Sequence, residues 1–179
     1  MNKERLEEIS KEIHALNMGM WNKADIGEGL VRLLDKLTAL RISFHGRKVA
    51  DRGSYEEFNA RRSLFKKPDV VKNYRQYIRC SAEEGFADIL LAVADLAAAK
   101  EMNFDALQPE FHRKFEEFTF NNNCFSFAKL VMSVVPIRKR VIMMMGFVIS
   151  WAKAENVDLE YYVNERLNYI KQVKQKVRL

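Results

Sequence analysis

Asp35 and Asp88 could be acids of a metal or phosphate site or solvated or cap-bonded acids on helix faces, and Asp88 has a neighbour in Asp95. Seven residues, two turns, separate Asp88 from Asp95 in a predicted helix, so these two share nearly one face. Asp95 could add an oxygen to any site built on Asp88, or it could pair with Lys100. A second candidate is a basic segment, Arg47 to Arg79. Its ten bases against Asp51, Glu56, Glu57 and Asp69 equal the whole net charge of +6. Tyr55, Phe58, Phe65, Tyr74 and Tyr77 are interleaved with those bases. Bases bind phosphate and aromatics stack on nucleobases, so the segment could attract a nucleotide or a nucleic acid. A solvated loop and helix face is the preferred reading, and nucleic acid is not the expected partner. Within the segment, Arg47 and Lys48 are candidate phosphate contacts.

Other residue types point away from chemistry. His14, His45 and His112 lack an HxxxH or carboxylate pattern, and Cys80 and Cys124 lack any zinc-ligand or disulfide-framework spacing. A reducing, cytoplasmic setting fits them. The opening MNKERLEEISKEIHALN mixes acids and bases, unlike a signal peptide, so export is not expected. Val141 to Ala152 is the longest apolar run. It falls short of the roughly 18 to 20 residues that cross a bilayer, so it reads as a buried helix and no membrane partner is expected. Met143, Met144, Met145, Phe147 and Trp151 in that run read as core rather than as a partner surface. The neighbouring Arg138-Lys139-Arg140 could touch anionic lipid, but a solvated cluster is preferred.

Only three prolines and seven glycines punctuate the chain, and its apolar residues recur at three- and four-residue spacing. That pattern predicts an all-α helical bundle. The spacing predicts a first helix over about Lys3 to Leu16, with Leu6, Ile9, Ile13 and Leu16 inward. It predicts a second over about Gly27 to Phe44, with Gly46 as its stop. Ser54-Tyr-Glu-Glu57 has capping-box spacing and predicts a short helix toward Arg62. Ser81-Ala-Glu-Glu84 predicts a long helix reaching about Met102. Asp105 is read as the cap of a helix that tolerates Pro109 in its first turn, carries Phe111, Phe115 and Phe118, and ends at Asn121-Asn122-Asn123. Three further helices are predicted over about Ser126 to Val135, Arg138 to Glu155, and Leu159 to Val177 behind an Asp158 cap.

Three features in order carry a resemblance: KEIHALN, then IGEGLVRLLDKLTALR running into FHGRKVAD, then EEGFADILLAVADLAAAK leading to NFDAL. Over roughly residues 1 to 118 the chain resembles the MazG-like all-α nucleoside triphosphate pyrophosphohydrolases. The resemblance implies a four-helix unit, magnesium as cofactor, a nucleotide substrate, and a monophosphate plus pyrophosphate as products. It further implies four carboxylates from two helices, an ExxE pair and an ExxD pair, because i, i+3 spacing puts two acids on one face and magnesium prefers oxygen. Registered on FHG and on ADILLAVADLA, those positions fall on Asp35, Thr38, Gly85 and Asp88. Two keep a carboxylate. Glu84 lies one residue, about 100° of rotation, from the place of Gly85. His112-Arg-Lys-Phe-Glu-Glu-Phe118 also differs from the Tyr-Asn signature that ends the family's fourth helix.

The resulting expectation is a divergent MazG-like protein with a lost or weakened hydrolase site; whether it is an enzyme is left open. One alternative is an active magnesium hydrolase using Asp35, Glu84, Asp88 and Asp95. Another is a non-enzymatic module binding an acidic partner or nucleic acid, and a homo-oligomer is open in each case. Two units are expected, 1–118 and 119–179. The second is read as a degenerate repeat packed on the first, because Ala98 to Asp105 resembles Trp151 to Asp158 at an offset of 53, with Arg113 falling on Arg166. At that offset Val141 stands for Asp88 and Ile137 for Glu84, so no acidic site is expected in the copy.

Overall fold

The structure, a computed structural model, describes residues 1–17, 26–61, 69–102, 104 and 115–177, and there it is all-α, with no strand. The helices are α1 (Lys3–Asn17), α2 (Ile26–His45), α3 (Arg52–Arg61), α4 (Val70–Tyr77), α5 (Ala82–Ala99), α6 (Phe120–Val131), α7 (Ile137–Ala154) and α8 (Leu159–Val177). A short 3-10 turn, Phe115–Glu117, precedes α6. None of the described helices is long and apolar enough to cross a membrane.

α5 is the axis of the bundle, packing against α1, α2, α7 and α8. Its sequence explains this position. Phe86, Ile89, Leu90 and Val93 are buried, and Ala87, Ala94 and Ala97 are buried alongside them, so the helix is apolar around most of its circumference. Leu6, Ile9 and Ile13 of α1 and Leu33, Leu37 and Leu40 of α2 are buried at the three- and four-residue spacing that predicted them. On the other side, Trp151 of α7 meets Phe86 edge-on at 4.9 Å and Phe120 at 5.0 Å. Aromatic contacts therefore continue the core from the first helices into the last third.

Several helix ends follow local chemistry. Ser81 caps α5, its hydroxyl accepting the Glu84 N–H at 3.1 Å, and Asp158 caps α8 by accepting the Tyr161 N–H at 3.2 Å. Other ends correct the sequence expectation. α3 starts at Arg52, and Asp51 rather than Ser54 closes it, accepting the Ser54 N–H at 3.0 Å. α4, capped by Asp69, was not anticipated inside the basic segment. Asn121, Asn122 and Asn123 do not end a helix; they form the first turn of α6, where Thr119 Oγ1 accepts the Asn122 N–H at 3.3 Å. The expected helix from Ser126 to Val135 is thereby moved to Phe120–Val131. The helix expected from the Asp105 cap falls on 105–114, outside the described residues.

α5 and α7 are both 18 residues long, and both close through a residue of positive φ, Glu101 at 49° and Asn156 at 58°. In each, the following N–H reaches back into the last turn, Met102 to the Ala97 carbonyl at 3.1 Å and Val157 to the Ala152 carbonyl at 2.9 Å. These equivalent positions lie 156 minus 101, or 55, residues apart. The residue match at 53 and the backbone turn therefore do not coincide. At 55, Asp88 falls on Met143 and Glu84 on Lys139, again without an acid.

Candidate functional site

Glu84, Asp88 and Asp95 sit at steps of four and seven on α5, which places all three within about 40° of one another around the helix. That stripe faces α1, α2 and α8, and each acid meets a partner from another helix. Arg166 of α8 lies between the first two. Its Nε donates to Asp88 Oδ1 at 2.7 Å and its Nη2 to Asp88 Oδ2 at 3.3 Å. Its Nη1 lies 2.8 Å from Glu84 Oε1, an ion pair whose angle is not that of a hydrogen bond. Lys36 of α2 reaches the same group, Nζ donating to Asp88 Oδ2 at 2.7 Å. The second Glu84 oxygen accepts the Cys80 N–H.

This cluster is largely withdrawn from water: the side chains of Glu84, Arg166 and Asp88 are 7%, 16% and 17% exposed. Burial works against the Arg166 charge, and Asp88 and Glu84 more than offset it, so its pKa stands above the ordinary arginine value. Tyr74 and Tyr169 stack on one another at 4.5 Å, and the Arg166 guanidinium lies 5.3 Å from the Tyr169 ring. Burial, then the Glu84 charge, pushes the Tyr74 phenol well above its usual range.

Asp95 lies farther along the stripe and is held by α1. Its Oδ1 is 2.9 Å from His14 Nδ1, and its Oδ2 accepts from Asn17 Nδ2 at 2.8 Å. Its partners are thus His14 and Asn17 rather than the Lys100 that sequence proximity offered. Between the two polar clusters runs a cleft of about 190 Å³, with Leu91 and Leu96 in its apolar lining and His14, Lys36 and Arg166 among its polar groups.

The remaining candidates lie elsewhere. Asp35 is exposed on α2 and is not among the residues lining the cleft; the neighbouring Lys36 is the one that reaches Asp88. Thr38 is exposed, its hydroxyl donating to the Leu34 carbonyl at 2.9 Å. Arg47 and Lys48 are exposed in the turn after α2 and do not line the cleft. His45 contacts Asn121 at 3.0 Å, and His112 lies outside the described residues. Cys80 is exposed, and burial pushes the Cys124 thiol up to about 11, leaving it an inert core group.

Gly85 has a packing reason. A Cβ there would stand 2.9 Å from Leu40 Cδ1 and 3.1 Å from Leu40 Cα, so Leu40 and the α2 backbone would have to give way to admit a longer side chain. Among the described residues no three His, Cys, Asp or Glu side chains are placed to hold a metal ion. The donor set does not fit magnesium, which needs free oxygens, whereas both Asp88 oxygens already accept from cationic nitrogens. Sequence reasoning missed Arg166, Lys36 and Asn17 as site residues and set aside His14, which faces Asp95 across 81 residues. No local signal could have found them, since Arg166 is 78 residues from Asp88 and Lys36 is 52.

The class these observations define is an all-α bundle with a polar cleft between α1, α2, α5 and α8. Comparison of the chain with protein-family models, with curated proteins and with solved structures finds no match.

Proposed function

We propose that this chain is a divergent MazG-like helical protein whose nucleotide pyrophosphohydrolase site is lost or weakened, with Arg166 doing the electrostatic work that a divalent ion does in the family it resembles. The observation that carries the reading is the bracketing of Arg166 by Asp88 and Glu84, at 2.7 and 2.8 Å. Two carboxylates with Arg166 and Lys36 sum to zero charge, so the pair has no need of a metal. A magnesium ion would have to expel a mostly buried guanidinium, and breaking such a pair costs about 3 kcal/mol or more. Gly85 and exposed Thr38 remove the other two oxygens the chemistry requires. What the fold retains is a cleft with donors, acceptors and an apolar lining, which at about 190 Å³ is smaller than the usual ligand pocket and so suited to holding part of a nucleotide-class ligand rather than cleaving it.

The test is pyrophosphate release from a panel of nucleoside triphosphates with and without magnesium, paired with calorimetric titration of magnesium and of each nucleotide. The expected outcome is no magnesium-dependent release and no magnesium binding. Release that requires magnesium and disappears in Asp88→Ala would overturn the reading in favour of an active hydrolase.

A further inference from the structure

From Phe118 to Ala154 the chain contains no acid, while Lys129, Arg138, Lys139, Arg140 and Lys153 are all basic. The stretch folds as α6, a turn and α7, and its outer side is unusual. α6 buries Phe120, Cys124, Phe127 and Val131, as an amphipathic helix should, and its solvent face sets the large apolar Phe125 among Asn121, Asn122 and Lys129. Phe125 is 61% exposed and Met132 is 72% exposed; together with Lys129 they occupy steps of four and three on one face. Beyond them Val134 stands fully in solvent at the tip of the turn. Arg138 and Lys139 are exposed at the start of α7.

We infer that this corner docks on an anionic lipid surface, with Phe125, Met132 and Val134 entering the headgroup boundary and Lys129, Arg138 and Lys139 meeting the negative charge. Charge complementarity selects the occupant. A one-signed basic field beside apolar side chains matches the leaflet surface, where each nearby base adds attraction and each buried apolar group adds more. The shortness of the Val141–Ala152 run argues against spanning a bilayer and does not bear on lying upon one.

The tip is braced from within. Arg140 turns inward, its Nη1 donating to the Val131 carbonyl at 3.0 Å and to the Ser133 carbonyl at 2.6 Å. The Met132 and Ser133 N–H groups donate to the Ala128 and Leu130 carbonyls at 3.0 and 3.2 Å. These bonds tie the end of α6 to the first turn of α7 and brace the tip that carries Met132 and Val134. Lys129 lies 4.4 Å over the Phe125 ring and can extend its amine toward phosphate while its stem stays apolar. A charge in the middle of the stripe disfavours a second copy of the chain, since interface centres are depleted of charge. Met132 and Val134 offer nothing for a nucleobase to stack on, which disfavours nucleic acid.

The experiment is co-sedimentation of the full chain with vesicles of phosphatidylcholine alone or mixed with phosphatidylserine, at low and raised salt. Binding is expected only with phosphatidylserine and is expected to weaken with salt. Met132→Glu/Val134→Glu and, without added charge, Met132→Ser/Val134→Ser are each expected to weaken binding roughly tenfold or more. Both pairs are exposed, so unchanged thermal melting is expected. Arg47→Glu/Lys48→Glu, in the other basic segment, is expected to leave binding nearly intact. No binding to anionic vesicles at low salt would overturn the inference, as would full binding by both the Glu and the Ser variants. An equal loss in Arg47→Glu/Lys48→Glu would reduce the effect to net charge. A dimer in gel filtration that Met132→Glu/Val134→Glu converts to monomer would reassign the face to a contact between copies.

Discussion

α5 and α7 have the same length and the same closing turn, and both lie against the core, yet they handle charge in opposite ways. α5 carries three acids on one stripe, each facing a polar partner from another helix. α7 carries only bases, grouped at its first turn and near its end, and its buried positions are filled by Val141, Met144, Met145, Phe147 and Trp151. The difference teaches that the helical frame and the chemistry are separable. Apolar periodicity and a positive-φ turn make the same rod twice, and a few polar positions decide whether it holds an ionic cluster or an aromatic core.

The comparison can be broken first at its two strongest points. Arg166→Met leaves Glu84 and Asp88 facing each other without their shared cation and is expected to cost about 3–5 kcal/mol in urea unfolding. Trp151→Ala, which empties the centre of the α7 aromatic contacts, is expected to cost a similar 3–5 kcal/mol. If Arg166→Met cost less than about 1 kcal/mol, the α5 cluster would be ornamental and the two helices would not differ as described.

A smaller effect tests the site more sharply. Gly85→Glu restores an acid where the resemblance places one, but its Cβ meets Leu40, so α2 and α5 must part. The expected cost is about 1–3 kcal/mol, with no gain of magnesium binding by calorimetry. A stable Gly85→Glu variant that binds magnesium would show the acidic site to be one substitution from recovery.

The smallest effects lie at helix ends outside the two rods. Thr119→Ala is expected to cost about 1 kcal/mol, read as a shift in the thermal midpoint. The Ser54 backbone N–H holds the Asp51 carboxyl below the usual aspartate range. With the folded pKa depressed, its contribution is present above the unfolded value, about 3.9, and is lost as pH falls through the folded one. Asp51→Ala should therefore lower stability slightly near neutral pH, and the gap from the parent should close in strong acid. Urea midpoints at the two pH values check the sign.

Much of the fold was legible in the residues. Ser81 and Asp158 announced their helices, and the ends of α1, α2, α7 and α8 fall within one residue of where spacing put them. α4 escaped because eight residues, Val70–Tyr77, are too few for an apolar period to stand out from the surrounding bases. The Asn121-Asn123 run misled because asparagine favours helix ends, and which end it marks depended on the Thr119 cap. The candidate site was half legible. Asp88, Glu84 and Asp95 were named, but the partners that define them came from other helices.

By itself the sequence determined where α1, α2, α5, α7 and α8 run, which of their faces are apolar, and that Thr38 and Gly85 stand where the resemblance places acids. Local periodicity and capping act over three or four residues, and such rules can be read along a chain. Tertiary structure alone decided which charges meet. Arg166 reaches Asp88 and Glu84 only because α8 packs on α5, and Lys36 rather than Asp35 faces them because α2 buries Leu33, Leu37 and Leu40 against that same helix. Pairings between residues 52 and 78 positions apart are set by how the apolar faces close on one another, and spacing along the chain carries no trace of them.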